Sequence, residues 1–270
     1  MNKSANLAAV GGMALAAVLA VAMPASAGDN KLDQLKEQGF ARLAIANEPP
    51  YTAVAADGKV SGAAPDVVAS ISEYGAMIPG LQAHRFDAIT AGLFMKPERC
   101  AAVAYSEPIL CDAEAFLVKK GNPGGYKSYE DIAKDAKATI GAPGGGTEEK
   151  LALNAGVPRD RVIVVPDGQS GLKMLQDGRI TVYSLPVLSL NDLKKKSGDD
   201  SIEVFAPVVG APVYCDGTAF NKDDTALRDA YDVELAKMKE SGDFAKIIEP
   251  YGFSADAAKS TSRDKLCAAK

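Results

Sequence analysis

Leu81-Gln82-Ala83-His84-Arg85-Phe86-Asp87-Ala88-Ile89-Thr90 decides the fold, because the chain writes this pattern twice. The second copy is Leu175-Gln176-Asp177-Gly178-Arg179-Ile180-Thr181-Val182-Tyr183-Ser184. Both read as a helix end, a turn and a strand. Leu-Gln and Arg recur at matching positions, and each copy closes on a hydroxyl residue. One such pair implies two lobes of similar build rather than a short-period repeat array. The first copy runs on into Ala91-Gly92-Leu93-Phe94-Met95-Lys96-Pro97-Glu98-Arg99-Cys100, a turn followed by the first turn of a helix. An Arg at that place presents a planar fork of donors to a carboxylate. Phe94 brings an aromatic face beside the same cavity. Taken alone, Arg99 pairs as readily with Glu98 or another surface acid, so its surroundings decide.

Working outward, the 270 residues are 47% hydrophobic and 24% charged with a net charge of −5, which suits one or two globular domains. A mildly acidic chain with no basic block is a poor nucleic-acid partner. Residues 1–27 read as a signal peptide: Lys3, an apolar Leu7–Met23 run, and Ala25-Ser26-Ala27 as the cleavage pattern. No cysteine directly follows that site, so the mature chain is expected to be soluble and periplasmic, without a lipid anchor. No later run approaches membrane-spanning length. His84 is the only histidine, which removes a His-based metal site and a Ser-His-Asp triad; no metal and no cofactor are expected. The four cysteines show no zinc spacing and suit disulfides in an exported chain.

Lys31–Gln38 is expected to be helical and Ala41–Ala46 a buried strand. The strand ends at Asn47-Glu48-Pro49-Pro50-Tyr51, where two prolines stiffen the loop and project Glu48 and Tyr51. Such loops at the C-terminal ends of strands are where open α/β sheets bind ligands. A hairpin follows over Tyr51–Val60, turning at Asp57-Gly58. Gly62–Asp66 reads as a helix start, yet Val67–Ile71 reads at once as a strand. A parallel crossover usually carries a helix. Either this strand runs antiparallel at an edge, or the crossover helix of the first lobe is missing. Tyr74 closes that strand and Ala76–His84 is the next helix. Ser106–Val118 and Val213–Phe220 read as two long links between the lobes. Ser128 is placed to cap a helix. Pro143-Gly144-Gly145-Gly146-Thr147 is a glycine-rich loop entering a helix, with Thr147 as N-cap; no G-K-[ST] closes it, so it is not a P-loop. Arg161–Val165, Gly168–Gln176, Ile180–Ser184, Leu188–Lys196, Thr225–Ser241 and Asp243–Glu249 continue the alternation, and a polar tail carries Cys267. Strands alternating with helices make the class α/β.

With the signal, Pro97-Glu98-Arg99, Tyr105-Ser106-Glu107-Pro108, the Gly141–Thr147 loop, Gly178-Arg179 and Ile248-Glu249-Pro250-Tyr251-Gly252 in view, the chain resembles the extracytoplasmic solute-binding proteins of polar amino-acid ABC importers. Within that family, Asn47–Tyr51, Ser72–Gly75, Gly92–Arg99 and Gly144–Glu149 resemble the receptors for ectoine and hydroxyectoine. The resemblance implies a two-lobed, type II-like periplasmic-binding-protein fold with two hinge strands and a ligand in the interlobe cleft. Lobe 1 would comprise 28–112 and 217–270, and lobe 2 would comprise 113–216 with the hinge strands. It also implies a monomer working with ABC permease subunits, binding without catalysis. Arg99 would clamp the ligand carboxylate and Glu48 would face its cationic ring. Tyr51, Tyr74 and Phe94 would form an aromatic box, and Thr147 would reach in from the second lobe.

The residue chemistry agrees. A zwitterion with a carboxylate and a charge-delocalised amidinium needs a donor fork at one end and carboxylate plus ring faces at the other. Each aromatic contact with such a cation is worth about 0.5–2 kcal/mol. Relatives that bind α-amino acids carry an Asp after the second Gly-Arg strand to take the α-ammonium; Thr181–Pro186 holds no acid. The alternatives are a polar amino-acid receptor and a periplasmic dehydratase on the same fold, with Glu48 or Glu73 as acid or base. Three disulfide pairings are open. The expected one joins Cys111 to Cys215, both near the linking strands, and leaves Cys100 for Cys267.

Overall fold

The computed structural model describes residues 31–55, 60–61, 69–71 and 74–268. The signal segment 1–27, the Asp57-Gly58 turn and the Gly62–Asp66 helix start lie outside them. Two five-stranded sheets carry the chain. The first has the spatial order Ala69–Ile71, Leu43–Ile45, Ala88–Ile89, Ala219–Asn221, Val103–Tyr105. The second has the order Val162–Val165, Ile140–Pro143, Val182–Pro186, Glu114–Lys119, Ile202–Phe205.

The duplicated segment explains why the sheets match. Ala88–Ile89 pairs parallel with Leu43–Ile45 and antiparallel with Ala219–Asn221. Val182–Pro186 likewise pairs parallel with Ile140–Pro143 and antiparallel with Glu114–Lys119. In both copies the turn before the strand holds a left-handed residue, His84 at φ 54 and Gly178 at φ 72. That conformation favours glycine, so the histidine carries the less comfortable copy of the turn.

The Ala69–Ile71 strand lies at the sheet edge but runs parallel to Leu43–Ile45, which removes the antiparallel one of the two alternatives. The connection has room for this because the antiparallel hairpin of Ala53–Val54 with Val60–Ser61 is itself part of the crossover. No helix precedes Ala69 within the described part of that connection.

Each expected long link is in fact broken. Cys111–Asp112 and Glu114–Lys119 are separate strands, as are Tyr214–Cys215 and Ala219–Asn221. Side-chain carboxylates take the backbone donors at the breaks: Asp112 accepts from Ala113 N and Leu188 N, and Asp216 accepts from Leu110 N. Cys111–Asp112 and Tyr214–Cys215 pair antiparallel to make the crossing ribbon between the lobes. In that ribbon Cys111 stands opposite Cys215, and the two are disulfide-bonded. The second disulfide, Cys100–Cys267, ties the C-terminal helix Arg263–Cys267 to the helix Pro97–Ala102 that bears Arg99. The expected polar tail is therefore two short helices, Ala255–Lys259 and Arg263–Cys267, capped by Ser254 and Ser262. Both disulfides are as expected.

Among the described residues no helix is long and apolar enough to cross a membrane. The hinge disulfide closes a loop with a sequence separation of 104, long enough to restrict the unfolded chain strongly. Replacing Cys111 and Cys215 by serine is expected to cost about 2–5 kcal/mol of stability. Scanning calorimetry of the double variant reads this as a lower Tm; a melting curve identical to the parent's contradicts it.

Candidate functional site

The site lies where the C-terminal ends of strands from both sheets face each other. Leu43–Ile45 delivers Glu48 and Tyr51 on the proline-stiffened loop, with Glu48 and Thr52 closing it through an isolated bridge. Tyr51 is 1% exposed, stacks edge-on against Phe253 at 4.8 Å, and lies 6.4 Å from Phe94. Gly92, at φ +69, is packed so tightly that a Cβ would lie 2.8 Å from the Tyr51 ring, so only glycine fits there.

Tyr74 is corrected from strand end to the first residue of the helix Tyr74–Gln82. Its hydroxyl lies 3.0 Å from Glu48 Oε2 and 2.7 Å from the Ala91 carbonyl. Thr147 is also shifted. The N-cap is Gly146, and Thr147 is the first residue of the helix Thr147–Asn154. Glycine takes the cap because a Cβ there would meet Glu148 Oε2 at 2.7 Å and the Pro143 carbonyl at 2.9 Å. Arg99, 5% exposed, donates to the Phe94 carbonyl at 3.0 Å and to the Gly145 carbonyl of the opposite lobe at 3.1 Å.

All six expected residues (Glu48, Tyr51, Tyr74, Phe94, Arg99 and Thr147) line one cavity of about 10 Å³, together with Gly92, Gly146, Glu148 and Pro186. That volume admits about one water, so entry of a larger solute requires the lobes to part. A second cavity of about 260 Å³ shares Glu48 and Tyr74 with the first and reaches Asp167 and Tyr183. The lobes meet directly around the small cavity. Gly75 N donates to the Gly144 carbonyl at 3.1 Å, and Ser189 Oγ donates to Glu48 Oε1 at 2.8 Å.

Two residues of the site escape sequence reading. Glu148 sits in the first helical turn, where an acid is explained by the helix dipole alone, yet it is buried at the cavity wall. Tyr214, on the hinge ribbon, stacks on Phe94 with ring centroids 5.4 Å apart, and Lys96 Nζ lies 5.0 Å from its ring centre. The glycine-rich entry before two consecutive glutamates was the available signal for Glu148; Tyr214 had none.

Burial sets the electrostatics. Burial and the neighbouring Glu148 charge push the Glu48 carboxyl up to about 7, against stabilising hydrogen bonds from Ser189 and Tyr74. Burial raises Asp216 to about 7 and Asp112 to about 6, and lowers Lys96 to about 8. An acid whose folded pKa exceeds its unfolded value stabilises the fold below the unfolded pKa, and that stability is lost as pH rises through the folded one. For Glu48, between 4.5 unfolded and about 7 folded, the full swing is about 3 kcal/mol. Asp87 runs the other way: burial raises it, but Arg42 and Lys31 hold it at about 2, so its contribution is complete above about pH 4. The unliganded protein is therefore expected to melt at a higher temperature near pH 5 than near pH 8. Melts across that range that rise with pH contradict these assignments.

Two similarly built α/β lobes, a two-strand hinge and a buried cleft carrying both signs of charge define a solute-binding protein of the type II periplasmic kind. The chain belongs to the bacterial extracellular solute-binding proteins, family 3, whose pattern spans residues 42–255. It is 33% identical over 261 residues to a probable amino-acid ABC transporter periplasmic-binding protein, y4tE, of Sinorhizobium fredii, covering 88% of this chain and 86% of that one. The L-cystine-binding protein TcyJ of Escherichia coli is 27% identical over 273 residues, covering 94% of this chain and 100% of TcyJ. Among solved structures, EhuB in complex with hydroxyectoine superposes with a TM-score of 0.88 at 79% identity, covering 89% of this chain and 99% of EhuB.

Proposed function

We propose that this chain is the substrate-binding receptor of an ABC importer that captures ectoine or hydroxyectoine in the periplasm. The observation that carries this reading is the meeting of Arg99, Glu48 and three aromatic side chains from separate segments at one cavity. In this reading the Arg99 fork takes the ligand carboxylate. Glu48 and the faces of Tyr51, Tyr74 and Phe94 take the delocalised cation. Thr147 and Glu148 complete the wall from the second lobe. The likeness to EhuB, solved in complex with hydroxyectoine, supports the same ligand class.

The remaining parts of the proposal follow the family. Residues 1–27 direct export and are cleaved, leaving a periplasmic monomer without a lipid anchor that docks on its permease. The lobes divide at 28–112 with 217–270, and 113–216. The protein binds without turnover; the likeness to the ancestral amino-acid-binding precursor of cyclohexadienyl dehydratase is at 22% identity and concerns the fold alone.

A second reading, a polar amino-acid receptor, is favoured by the names of the relatives at 27–33% identity. Against it, the strand Val182–Pro186 ends at the cavity wall on Pro186, whose side chain supplies no carboxylate for an α-ammonium. Isothermal calorimetry with ectoine, hydroxyectoine, glutamine, lysine and histidine separates the two. Saturable heat from ectoine or hydroxyectoine is expected. Heat from an amino acid with silence toward both ectoines rejects the proposal.

A further inference from the structure

Glu114 is 1% exposed, and neither of its carboxyl oxygens has a hydrogen-bond partner among the described residues. It opens the strand Glu114–Lys119 and stands in register opposite Pro186 on the neighbouring antiparallel strand. Directly opposed residues of such a pair project from the same face of the sheet. Pro186 lines the small cavity, so the Glu114 side chain leaves the same face of the sheet as a lining residue and stands one residue behind that wall. The charged and titratable groups that interact with it come from several elements: Glu148, Lys96, Asp112 and Glu48, with the hydroxyls of Tyr129 and Tyr214. The one cation of that set, Lys96, has its ammonium 5.0 Å from the Tyr214 ring centre, and Glu114 has no ion pair among the described residues.

Burying an ionised carboxylate with both oxygens unpartnered strongly disfavours the charged form. Such a group holds a proton until a cation or a donor reaches it. We propose that Glu114 is a further carboxylate of the cationic subsite, which surrenders its proton when the positively charged ring of the ligand enters. The exchange balances simply. The Glu114 O–H bond breaks, the proton passes to solvent buffer, and the carboxylate left behind faces the ligand's cation. Burial and the adjacent Glu148 charge push this carboxyl well above the usual carboxylate range, in the direction the exchange needs. The proposal rests on the ectoine-receptor reading and deepens it, because it makes capture a proton-releasing event.

Calorimetry with ectoine near neutral pH, repeated in buffers of different ionisation enthalpy, counts the protons released per ligand bound. The parent is expected to release protons. Glu48 titrates in the same direction, so the share of Glu114 is read as the difference between the parent and Glu114→Gln. That variant is expected to release fewer protons and to bind ectoine about tenfold more weakly, the share of one charged hydrogen bond. Its melting temperature without ligand is expected to match or exceed the parent's, since a neutral amide replaces an unpartnered acid. Unchanged proton release and affinity in Glu114→Gln overturn the proposal while leaving the ligand assignment standing. A parent that binds ectoine without releasing any proton overturns it without need of the variant. No heat from either ectoine in the parent overturns the ligand assignment, and this proposal with it.

Discussion

Arg99→Ala is expected to abolish measurable capture of ectoine. Removing one partner of a buried, hydrogen-bonded charge pair costs about 2–5 kcal/mol, or roughly 30- to 4,000-fold in Kd. The upper end applies here because Arg99 is 5% exposed and, among the described residues, no other arginine lines the cavity. Arg99→Lys is expected to rescue little. An ammonium reaches a carboxylate as a single point, whereas the guanidinium already spends one donor on the Phe94 carbonyl and another on Gly145 while keeping its fork in plane. Both variants should fold, because the helix Pro97–Ala102 is held by Pro97 at its start and by the Cys100–Cys267 disulfide. Titration calorimetry beside a thermal melt separates lost binding from lost structure. Parent-like affinity in Arg99→Ala would remove the anchor on which the site depends.

Gly145→Ala is expected to hold the lobes apart. Gly145 has φ +73, so any side chain there costs about 1–2 kcal/mol in backbone strain alone. The larger effect is steric. A Cβ on Gly145 would lie 2.6 Å from Gly75 Cα and 2.8 Å from Gly75 N, and both are backbone atoms of the opposite lobe. Backbone within a helix cannot move aside as a flexible side chain can, so the lobes must separate. The Gly75 N to Gly144 carbonyl bond and the Arg99 to Gly145 carbonyl bond then go together. Affinity should fall by at least about tenfold. Small-angle scattering should show a radius of gyration that no longer shrinks on adding ligand. Gly75→Ala is the milder partner, since its Cβ would meet Gly144 O at 3.4 Å, an ordinary contact. Equal effects from the two variants would contradict the steric account.

These two expectations draw on a candidate site whose lining residues were largely legible in the chain. Glu48, Tyr51, Phe94 and Arg99 each follow a strand end and precede or occupy a turn with proline or glycine, and local chemistry of that kind is visible in sequence. Lys31–Gln38, Gly168–Gln176 and Thr225–Ser241 were legible to the residue because apolar spacing and end signals agree. Tyr74 was harder. Glu73-Tyr74-Gly75 reads as the close of the preceding strand, and the helix expected from Ala76 in fact starts two residues earlier at Tyr74. Thr147 read as a cap because hydroxyls usually take that place; the crowding at Gly146 overrides the preference. Ile202–Phe205, an edge strand of four residues interrupted by Glu203, carried too little pattern to be found. Glu114 and Tyr214 depend on cross-strand register and on a ring stack between segments far apart in the chain, and neither is written in local sequence.

The site's central claim concerns the orientation of one small zwitterion. A crystal structure of the protein with ectoine tests it most directly. The expected density places the carboxylate on the Arg99 guanidinium and the ring between Tyr51, Tyr74 and Phe94 with its nitrogens toward Glu48. A ligand seated elsewhere, or with its carboxylate turned to Glu48 and away from Arg99, would contradict the account.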